Sequence, residues 1–534
     1  MSQAPASVQT APEAAPNGSP FRQVKRPPAI RNVLTNWMAF VVGVGVNFFL
    51  SPFVVHSLGN RQYGIWVLLG SLVGYMGLLD LGVRSAVMRY VARHHARSED
   101  GAASDVASAG LAIFTITGLV ALTASVVIAW LLPYLFPIPK ELLTIARVVI
   151  VIGGLNVASA LVSGVFGGAV AAMQRFDLLS SMEVGIGVLR AVAVVAALRL
   201  GMGLIALSTI QLGCTLLRLI VQYAFIRRLY PELQYRLRGI QRADIGKIFS
   251  FSAYTSLLHV SGALIFSADA VVIGAFLPVA TITFFSIAAS LTDYTRTVIS
   301  AISQTLTPRA SALEGAGQTG ELQRILLGVS GGATLVILPI AISFLLRGHS
   351  FIGLWMGPSY AELSTPVLIV LAIPLIFAAA RMVSISAIIG LNQHRMLVPF
   401  IVTEGLLNLA LSIYWIHSAG IVGVALGTAI PNFITSVVVI PWALRRLLAI
   451  PIGEIWMRFW IRPVVAMLPF AAVTWAIERV WPAHGLVSFF TGVLVALPAA
   501  AVGAWFIGLS SEERRARSGL LLRPLAVFTG RATR

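Results

Sequence analysis

Long apolar runs recur along almost the whole chain, from residue 32 to residue 508, and short polar or basic turns separate them. Each run has about twenty residues, the length that one helix needs to span the hydrocarbon core of a bilayer. Of the 534 residues, 57% are hydrophobic and only 11% are charged, and the mean hydropathy is +0.88. No water-soluble fold buries so much apolar surface. The sequence therefore predicts an all-α polytopic membrane protein.

The runs predict about fourteen transmembrane helices. If successive helices alternate in direction, most Lys and Arg residues near helix ends lie on the side that holds both chain termini. The positive-inside rule assigns that side to the cytoplasm, so the net charge of +18 indicates orientation rather than nucleic-acid binding. The predicted spans are residues 32–55, 63–92, 106–132, 142–170, 178–198, 203–226, 248–275, 282–307, 325–346, 364–390, 398–416, 421–444, 461–478 and 487–508.

An internal repeat divides these spans into two halves. Residues 58–96 contain a polar turn, a long apolar helix, an acid–base pair and a basic exit, and Leu277, 219 positions after Leu58, starts a second copy of this plan. The same offset relates Gly201 to Gly420. Six helices therefore repeat as six, and an even number gives a parallel repeat about an axis along the membrane normal. Two rocking halves around a substrate site are one interpretation, and a duplication without a surviving mechanism is the other.

Composition marks the segments outside the two six-helix bundles. The first residues are rich in Ala, Pro and Ser and have little apolar surface, which is typical of disorder. A basic segment between the halves is the natural linker, and two further helices follow the duplication. The predicted organisation is a disordered cytoplasmic tail at 1–31, an N-terminal six-helix bundle at 32–226, a basic cytoplasmic linker at 227–247, a C-terminal six-helix bundle at 248–446, two additional transmembrane helices at 447–510 and a basic cytoplasmic tail at 511–534.

The sequence contains no recognisable catalytic constellation. Its histidines lie mostly at loop edges, no Ser or Cys stands in a nucleophile elbow, and no Gly-rich phosphate loop joins a strand to a helix. The single cysteine, Cys214, rules out an intramolecular disulfide, and no Cys/His metal spacing is present. We therefore expect a transporter rather than an enzyme, with no metal or cofactor and no ATP hydrolysis on this chain.

Charged side chains nevertheless lie inside the predicted spans. A charged side chain at the bilayer centre costs at least about 2.5 kcal/mol on insertion scales, so such residues are candidates for function. Several of them stand one or two helical turns apart and would share one helix face. These sets are Asp80 with Arg84, Asp293 with Arg296, Glu183 with Arg190, and Glu404 with Asn408, while Arg218 belongs to a polar stripe, Arg381 stands alone and Asp269 lies in the seventh span.

Two interpretations compete for these residues. In one, each pair is a salt bridge that locks neighbouring helices, or the arginine reaches toward the membrane interface. In the other, the arginines line a hydrated cavity between the halves and offer forked donors to a phosphate or diphosphate. Arg190 and Arg381 have no acidic partner within four residues, which makes them the better ligand candidates. The predicted substrate-binding set is Arg84, Arg190, Arg218, Arg296, Arg381 and Asn408.

The intramembrane acids have an interpretation of their own. Transporters use buried Asp and Glu residues to bind ions or to carry protons. Coupling to a Na⁺ or H⁺ gradient is therefore an alternative to a structural charge pair. The candidates are Asp80, Glu183, Asp269, Asp293 and Glu404.

Residues 58–93 carry an ordered set of short motifs: a Leu-Gly pair, a Tyr-Gly pair at Tyr63 before an apolar stretch, Leu-Asp-Leu-Gly at 79–82, and Arg-Tyr at Arg89. In this order they closely resemble the first conserved block of the polysaccharide-export proteins, the Wzx-type oligosaccharide flippases of the multidrug/oligosaccharidyl-lipid/polysaccharide (MOP) superfamily. Residues 269–291 of the second half are similar to that family as well. Helix number and duplication extend the resemblance over nearly the whole chain.

The resemblance implies a fourteen-helix, MATE-like flippase of the bacterial inner membrane. Such proteins move undecaprenyl-diphosphate-linked oligosaccharide repeat units from the cytoplasmic to the periplasmic leaflet, for O-antigen of lipopolysaccharide, capsule or exopolysaccharide. It implies the phospholipid bilayer as surroundings and the polysaccharide polymerase and glycosyltransferases of the same pathway as partners. Related lipid II flippases form a lipid-tail groove from their last two helices and line their cavity with arginines. The arginines matched here by helix are Arg84, Arg190, Arg218, Arg296 and Arg381.

Two other functions stay open at this stage. A MATE-like drug/cation antiporter of the same superfamily would bind its cation with the buried acids, although the surplus of intramembrane arginine disfavours cationic substrates. An integral-membrane glycosyltransferase or polymerase usually carries large loops with acidic catalytic residues. The basic linker has only two acids, Glu232 and Asp244, which disfavours that class.

Overall fold

The structure is a computed structural model that describes residues 29–235, 267–509 and residue 514. Most of the predicted tails, most of the predicted linker and most of the seventh span lie outside these residues. All the described secondary structure is helical, which confirms the predicted all-α class. The α-helices are α1 Ala29–Met76, α2 Val83–Ala96, α3 Asp100–Leu135, α4 Lys140–Ala172, α5 Phe176–Arg199, α6 Leu204–Leu229, α7 Ala268–Phe276, α8 Thr281–Ser303, α9 Leu306–Gly315, α10 Thr319–Trp355, α11 Pro358–Gly390, α12 Val398–Ile434, α13 Ile440–Leu448, α14 Ile452–Trp456, α15 Arg462–Ala466, α16 Leu468–Val480 and α17 Leu486–Gly503.

Ten of the described helical stretches are long and apolar enough to cross a membrane, so the chain is a multi-pass membrane protein. Two of them, Val42–Ala96 and His394–Leu448, have 55 residues each, far more than one crossing needs. Positive φ angles at Gly59 (69°) and Gly420 (57°) interrupt their helical backbone. The total of about fourteen spans stays a prediction, because much of the seventh lies outside the described residues.

The second of these stretches contains an antiparallel helical hairpin, because α12 folds back at Gly420. Asn408 on one arm donates from Nδ2 to Oγ1 of Thr428 on the other arm, at 3.1 Å. Gly201, which precedes Gly420 by 219 positions, also has a positive φ (74°) in the turn between α5 and α6. Glycine adopts this left-handed backbone without the steric cost that other residues meet. Both halves therefore reverse direction at equivalent glycines.

The predicted span 63–92 is not one continuous helix. Leu81 and Gly82 have left-handed φ angles of 49° and 72°, which a right-handed helix does not accommodate. Asp80 ends a 3₁₀ turn before this break, and Arg84 lies exposed in the first turn of α2 after it. The prediction that Asp80 and Arg84 share one helix face is therefore wrong.

The two halves share one hydrophobic core at the end of the bundle where Gly59 lies. This core joins Ile65 and Leu68 of α1 to Ile273 of α7 and Phe285 of α8. At the opposite end, which the N-terminal end of α1 approaches, each half has a separate core. We name these the closed end and the terminal end. Among the described residues, the halves thus share a core at the closed end and have separate cores at the terminal end.

Close contacts between the halves seal the closed end. A Cβ atom at Gly64 would lie 2.0 Å from the carbonyl oxygen of Val279, so only glycine fits there. Asn60 accepts two hydrogen bonds from the second half. Its side-chain oxygen accepts from the Tyr360 hydroxyl at 2.8 Å, and its carbonyl oxygen accepts from Thr283 Oγ1 at 2.8 Å. We name these contacts, of Gly64 with Val279 and of Asn60 with Tyr360 and Thr283, the seal.

An ion pair ties the last two long helices to the second half. Arg347 of α10 is buried, and its Nε lies 2.5 Å from Oε2 of Glu478 on α16. The Ser350 hydroxyl donates to the other oxygen of Glu478. The Arg347 guanidinium also stacks over the ring of Phe489 on α17, 4.4 Å from its centroid. One buried arginine thus contacts both C-terminal helices.

Candidate functional site

A cavity of about 260 Å³ lies among α1, α5 and α6 and brings together three of the predicted site residues. Glu183 and Arg190 line it from α5, and Arg218 lines it from α6. Asn47 of α1 and Gln211 of α6 add amide groups to its wall. We name this cavity the charged chamber.

Two polar pairs bridge α5 and α6 along the charged chamber. Arg218 Nη2 lies 2.9 Å from Oε2 of Glu183. Arg190 Nη1 donates to Oε1 of Gln211 at 3.3 Å. The pairs are seven residues apart on each helix, a separation of about 10 Å at 1.5 Å per residue. Glu183 and Arg190 therefore lie on one face of α5, as their spacing predicts.

Arg190 carries a charge that no carboxylate offsets within the part of the chain that the structure describes. Its two contacts are with neutral side-chain oxygens, Gln211 Oε1 at 3.3 Å and Asn47 Oδ1 at 3.4 Å. Both distances exceed the usual 2.7–3.2 Å of an N–H···O bond. A guanidinium held this loosely keeps its forked donors available to an anion. Arg190 is therefore the residue of this chamber best suited to bind a phosphate.

A second cavity, of about 270 Å³, adjoins the charged chamber on the side of the closed end. Arg190, Asn47 and Gln211 line both cavities. Because α8 of the second half forms part of its wall, this cavity lies between the halves. We name it the aromatic chamber. Its other polar and aromatic wall residues are Ser51, Tyr63 and Trp66 of α1 and Ser290 and Tyr294 of α8.

Arg381 lines neither chamber. Its Nη1 and Nη2 atoms each donate to one oxygen of the Glu404 carboxylate at 2.8 Å, and both side chains are buried. Asn432 Nδ2 adds a bond to Glu404 Oε1 at 3.2 Å. Spacing along one helix did not reveal this acidic partner, which lies on the next helix, and substrate binding by Arg381 stays a prediction.

Asp269 and Asn408 meet through Thr428. The Thr428 hydroxyl donates to the Asp269 carboxylate, 2.9 and 3.1 Å from its two oxygens, and accepts from Asn408 Nδ2 at 3.1 Å. All three side chains are buried. Within the described ranges, no group of three or more His, Cys, Asp or Glu residues is placed to hold a metal ion. The cluster therefore offers one carboxylate among neutral polar groups.

The remaining predicted pair, Asp293 and Arg296, forms an ion pair on α8. Arg296 Nη1 lies 3.1 Å from Asp293 Oδ1, and the Asp293 side chain is 60% exposed. Neither residue lines either chamber, although Tyr294 between them lines the aromatic chamber. Substrate binding by Arg84, Arg296 and Asn408 stays a prediction.

Sequence reasoning missed the aromatic wall and Asn47. Tyr63 belongs to one of the short motifs, and aromatic residues in membrane proteins commonly mark the interface. Tyr294 lies between Asp293 and Arg296, and only these two charged residues were considered as site candidates. One signal was available, because Asn47 is a lone amide in the apolar run of residues 38–50.

The family match and the relatives described below indicate a membrane transporter rather than an enzyme. Residues 29–314 match the family described as polysaccharide biosynthesis protein, and the chain belongs to that family. The resemblance to Wzx-type members of the MOP superfamily, inferred from residues 58–93, is thereby confirmed.

Two relatives show how far the similarity extends. The uncharacterized membrane protein EpsK of Bacillus subtilis is 23% identical over 496 residues, which cover 91% of this chain and 96% of EpsK. The probable low-salt glycan biosynthesis flippase Agl15 of Haloferax volcanii is 24% identical over 190 residues, or 36% of this chain and 40% of Agl15.

Solved transporter structures share the fold. The lipid II flippase MurJ, in an inward closed conformation, aligns with a TM-score of 0.70 at 13% identity over 89% of this chain and 99% of its own. An inward-facing multidrug resistance MATE transporter of the MOP superfamily aligns with a TM-score of 0.62 at 15% identity over 80% of this chain and 99% of its own. Family and fold support a flippase role.

Proposed function

We propose that the protein moves undecaprenyl-diphosphate-linked oligosaccharide units from the cytoplasmic to the periplasmic leaflet of the bacterial inner membrane, by alternating access. The observation that carries this proposal is Arg190, which lies at the junction of two chambers with only neutral amides as described partners. The units serve O-antigen, capsule or exopolysaccharide synthesis. The polymerase and glycosyltransferases of that pathway are the proposed partners.

The chambers lower the cost of moving a sugar head group through hydrocarbon. Each polar group left without a hydrogen bond there costs several kcal/mol. Amides and hydroxyls of both chambers offer partners at successive levels, while the prenyl tail stays in lipid. Two arginines and one glutamate, Arg190, Arg218 and Glu183, give the charged chamber a net charge of +1, which favours an anionic head group.

The direction of transport follows from the proposed topology. The positive-inside rule assigns both termini to the cytoplasm, so the terminal end faces the cytoplasm and the closed end faces the periplasm. The chambers then lie on the cytoplasmic side of the seal, where Asn60 binds Thr283 and Tyr360. A head group enters from the cytoplasmic leaflet, and its release requires the seal to open while the terminal end closes.

We propose Asp269, Thr428 and Asn408 as the site that couples transport to a Na⁺ or H⁺ gradient. A buried carboxylate whose hydrogen-bond donor is a neutral hydroxyl can take up a proton or a monovalent cation. Asp269→Asn should therefore remove the dependence of translocation on an imposed gradient. Asp105→Asn, at an exposed position of α3, is the matched control. Unchanged gradient dependence in Asp269→Asn would refute the coupling site and leave the flippase proposal standing.

A drug/cation antiporter is the second candidate, because solved MATE transporters share the fold. The cationic Arg190 at the junction of the chambers disfavours a cationic cargo by like-charge repulsion. The drug susceptibility of a deletion strain separates the two functions. Increased susceptibility together with intact polysaccharide would favour the antiporter.

Reconstitution tests the proposed function directly. Purified protein is placed in vesicles with a fluorescent lipid-linked oligosaccharide, and a membrane-impermeant quencher reports the leaflet. We expect translocation by the wild type and a loss of about ten- to a hundredfold in apparent affinity for Arg190→Ala, the worth of a charged hydrogen bond. Arg199→Ala, at the exposed end of α5, should match the wild type. Translocation no faster than in protein-free vesicles would overturn the proposal.

A further inference from the structure

The aromatic chamber has a chemistry that the charged chamber lacks. Of its lining residues only Arg190, in the shared wall, is charged. The rings of Trp66 and Tyr294 line it from α1 and α8, and the hydroxyls of Ser51 and Ser290 lie in the same wall. Apolar rings mixed with neutral hydrogen-bonding groups suit a ligand that is itself neutral and amphipathic.

The two chambers follow one another along α5. Glu183 lines the charged chamber, Arg190 lines both, and Val194 lines the aromatic chamber alone. At 1.5 Å per residue, the distance along α5 from the first to the last of these residues is about 16 Å. From the terminal end, the order is acid–base pair, shared arginine, aromatic wall and then the seal. A ligand whose phosphate lies at Arg190 therefore places the group next to that phosphate in the aromatic chamber.

We propose that the aromatic chamber is a saccharide subsite, which binds the sugar unit next to the phosphate while Arg190 contacts the phosphate itself. This inference rests on the proposed function and adds to it the position and direction of the head group. A pyranose ring has an apolar C–H face and a rim of hydroxyls. The ring of Trp66 or Tyr294 covers the face, and the Ser, Asn and Gln side chains of the chamber bind the rim.

The size of the chamber limits what it holds in this conformation. Its volume of about 270 Å³ lies just under the range of about 300–1,000 Å³ that is typical of small-molecule sites. One sugar unit fits this space, and a whole oligosaccharide does not. Because Arg190 contacts the phosphate in this proposal, the unit that occupies the chamber is the one at the reducing end.

Both halves of the protein build this subsite. Ser51, Tyr63 and Trp66 come from the first half, and Ser290 and Tyr294 come from the second. A bound sugar therefore contacts both halves on the chamber side of the seal. When the halves separate at the closed end, the two walls move apart, and the sugar loses its contacts with one of them. Release of the head group is then a direct result of opening.

Binding of short-chain probes to the purified full chain tests the subsite. The probes are citronellyl diphosphate, which has no sugar, and its glucosyl, galactosyl and N-acetylglucosaminyl derivatives. We expect the wild type to bind at least one sugar-bearing probe about five- to tenfold more tightly than citronellyl diphosphate. Trp66→Ala should abolish this preference and keep the affinity for citronellyl diphosphate. Trp66→Phe retains a ring and should keep most of the preference, and Trp130→Ala, exposed on α3, is the matched control.

The outcomes separate the subsite from the function on which it rests. If the wild type binds none of the probes, the proposed function itself fails. If it binds all of them equally, or if Trp66→Ala and Tyr294→Ala both keep the sugar preference, the subsite is refuted and the flippase proposal stands. If Trp66→Ala does not melt cooperatively, Tyr294→Ala gives the deciding measurement, because it removes the wall of the other half.

Discussion

The Arg381 guanidinium and the Glu404 carboxylate form two parallel hydrogen bonds of 2.8 Å, and both side chains are buried. Arg190 instead contacts two neutral amides, at 3.3 and 3.4 Å, in the wall of a cavity. By the offset of 219, the two arms of α12 correspond to α5 and α6. The first half keeps a polar cavity between α5 and α6, whereas the ion pair of the second half joins α11 to the first arm of α12 and lines neither chamber.

Arg381→Ala should destabilise the protein rather than impair substrate binding alone. The change leaves the Glu404 carboxylate buried without its cation, which costs about 3–5 kcal/mol. We expect a lower melting temperature in detergent and a lower level in the membrane. In the double variant with Glu404→Gln much of the stability should return, because no buried charge is left. Arg190→Ala is the contrasting control and should melt like the wild type. An equal fall in melting temperature in Arg381→Ala and Arg190→Ala would contradict this distinction.

Tyr360→Phe should weaken the seal. It removes the 2.8 Å hydrogen bond to Asn60, worth about 1 kcal/mol, so the ratio of closed to open protein should fall about fivefold. The measurement is labelling of Ser290→Cys, in a Cys214→Ser background, by an impermeant thiol reagent added from the side of the closed end. Tyr414→Phe, at a side chain that is 72% exposed, is the control. Labelling at the wild-type rate would show that this bond does not hold the halves together.

Glu478→Ala should loosen the last two helices. Arg347 is 1% exposed, and loss of its 2.5 Å partner leaves a buried cation, at a cost of about 3–5 kcal/mol. We expect a lower melting temperature and faster proteolysis around residues 447–451. Arg479→Ala removes only an exposed arginine that stacks 4.3 Å from the centroid of the Trp475 ring, worth about 0.5–1 kcal/mol. A larger fall in melting temperature in Arg479→Ala than in Glu478→Ala would refute the anchoring role of Arg347.

The turn between α2 and α3 should lose stability in acid. His94 Nδ1 lies 2.6 Å from Glu99 Oε2, and this hydrogen bond is the main reason that the pKa of Glu99 is below its usual value. A carboxylate with a lowered pKa stabilises the folded turn above its unfolded pKa of about 4.3, and this contribution is lost as the pH falls through the folded pKa. Glu99→Gln should therefore show less amide protection in the turn than the wild type at about pH 6. The difference should vanish in acid, and a constant difference at every pH would contradict the assignment.

The class of fold was predictable because it depends on properties of single helices. Each apolar run gives the approximate length of one membrane helix. The repeat indicates equivalent turns, such as those at Gly201 and Gly420, and both glycines have a positive φ. Partners on different helices were not predictable in the same way. Arg381 and Glu404 are 23 residues apart, and their contact depends on how two helices pack rather than on spacing along one. The break at Gly82 was hidden because the apolar run continues through it.

The candidate site was predictable in part. Glu183, Arg190 and Arg218 stand out because charge is costly in a membrane, and the structure gathers them in one cavity. The aromatic wall gave no comparable signal, since placing a Trp or Tyr side chain in a membrane helix costs little free energy. Its location could only be seen once α8 of the second half lay opposite α1.

The shared core at the closed end has a consequence for the resting transporter. Leu68 and Ile273 are fully buried where the halves meet, and parting the halves would wet such side chains at roughly 25 cal/mol per Å². A carrier without cargo therefore gains nothing from swinging open toward that side, so futile cycling and leakage of small solutes are suppressed. Burial of apolar side chains then maintains the permeability barrier at the closed end, and parting the halves there requires free energy from another source.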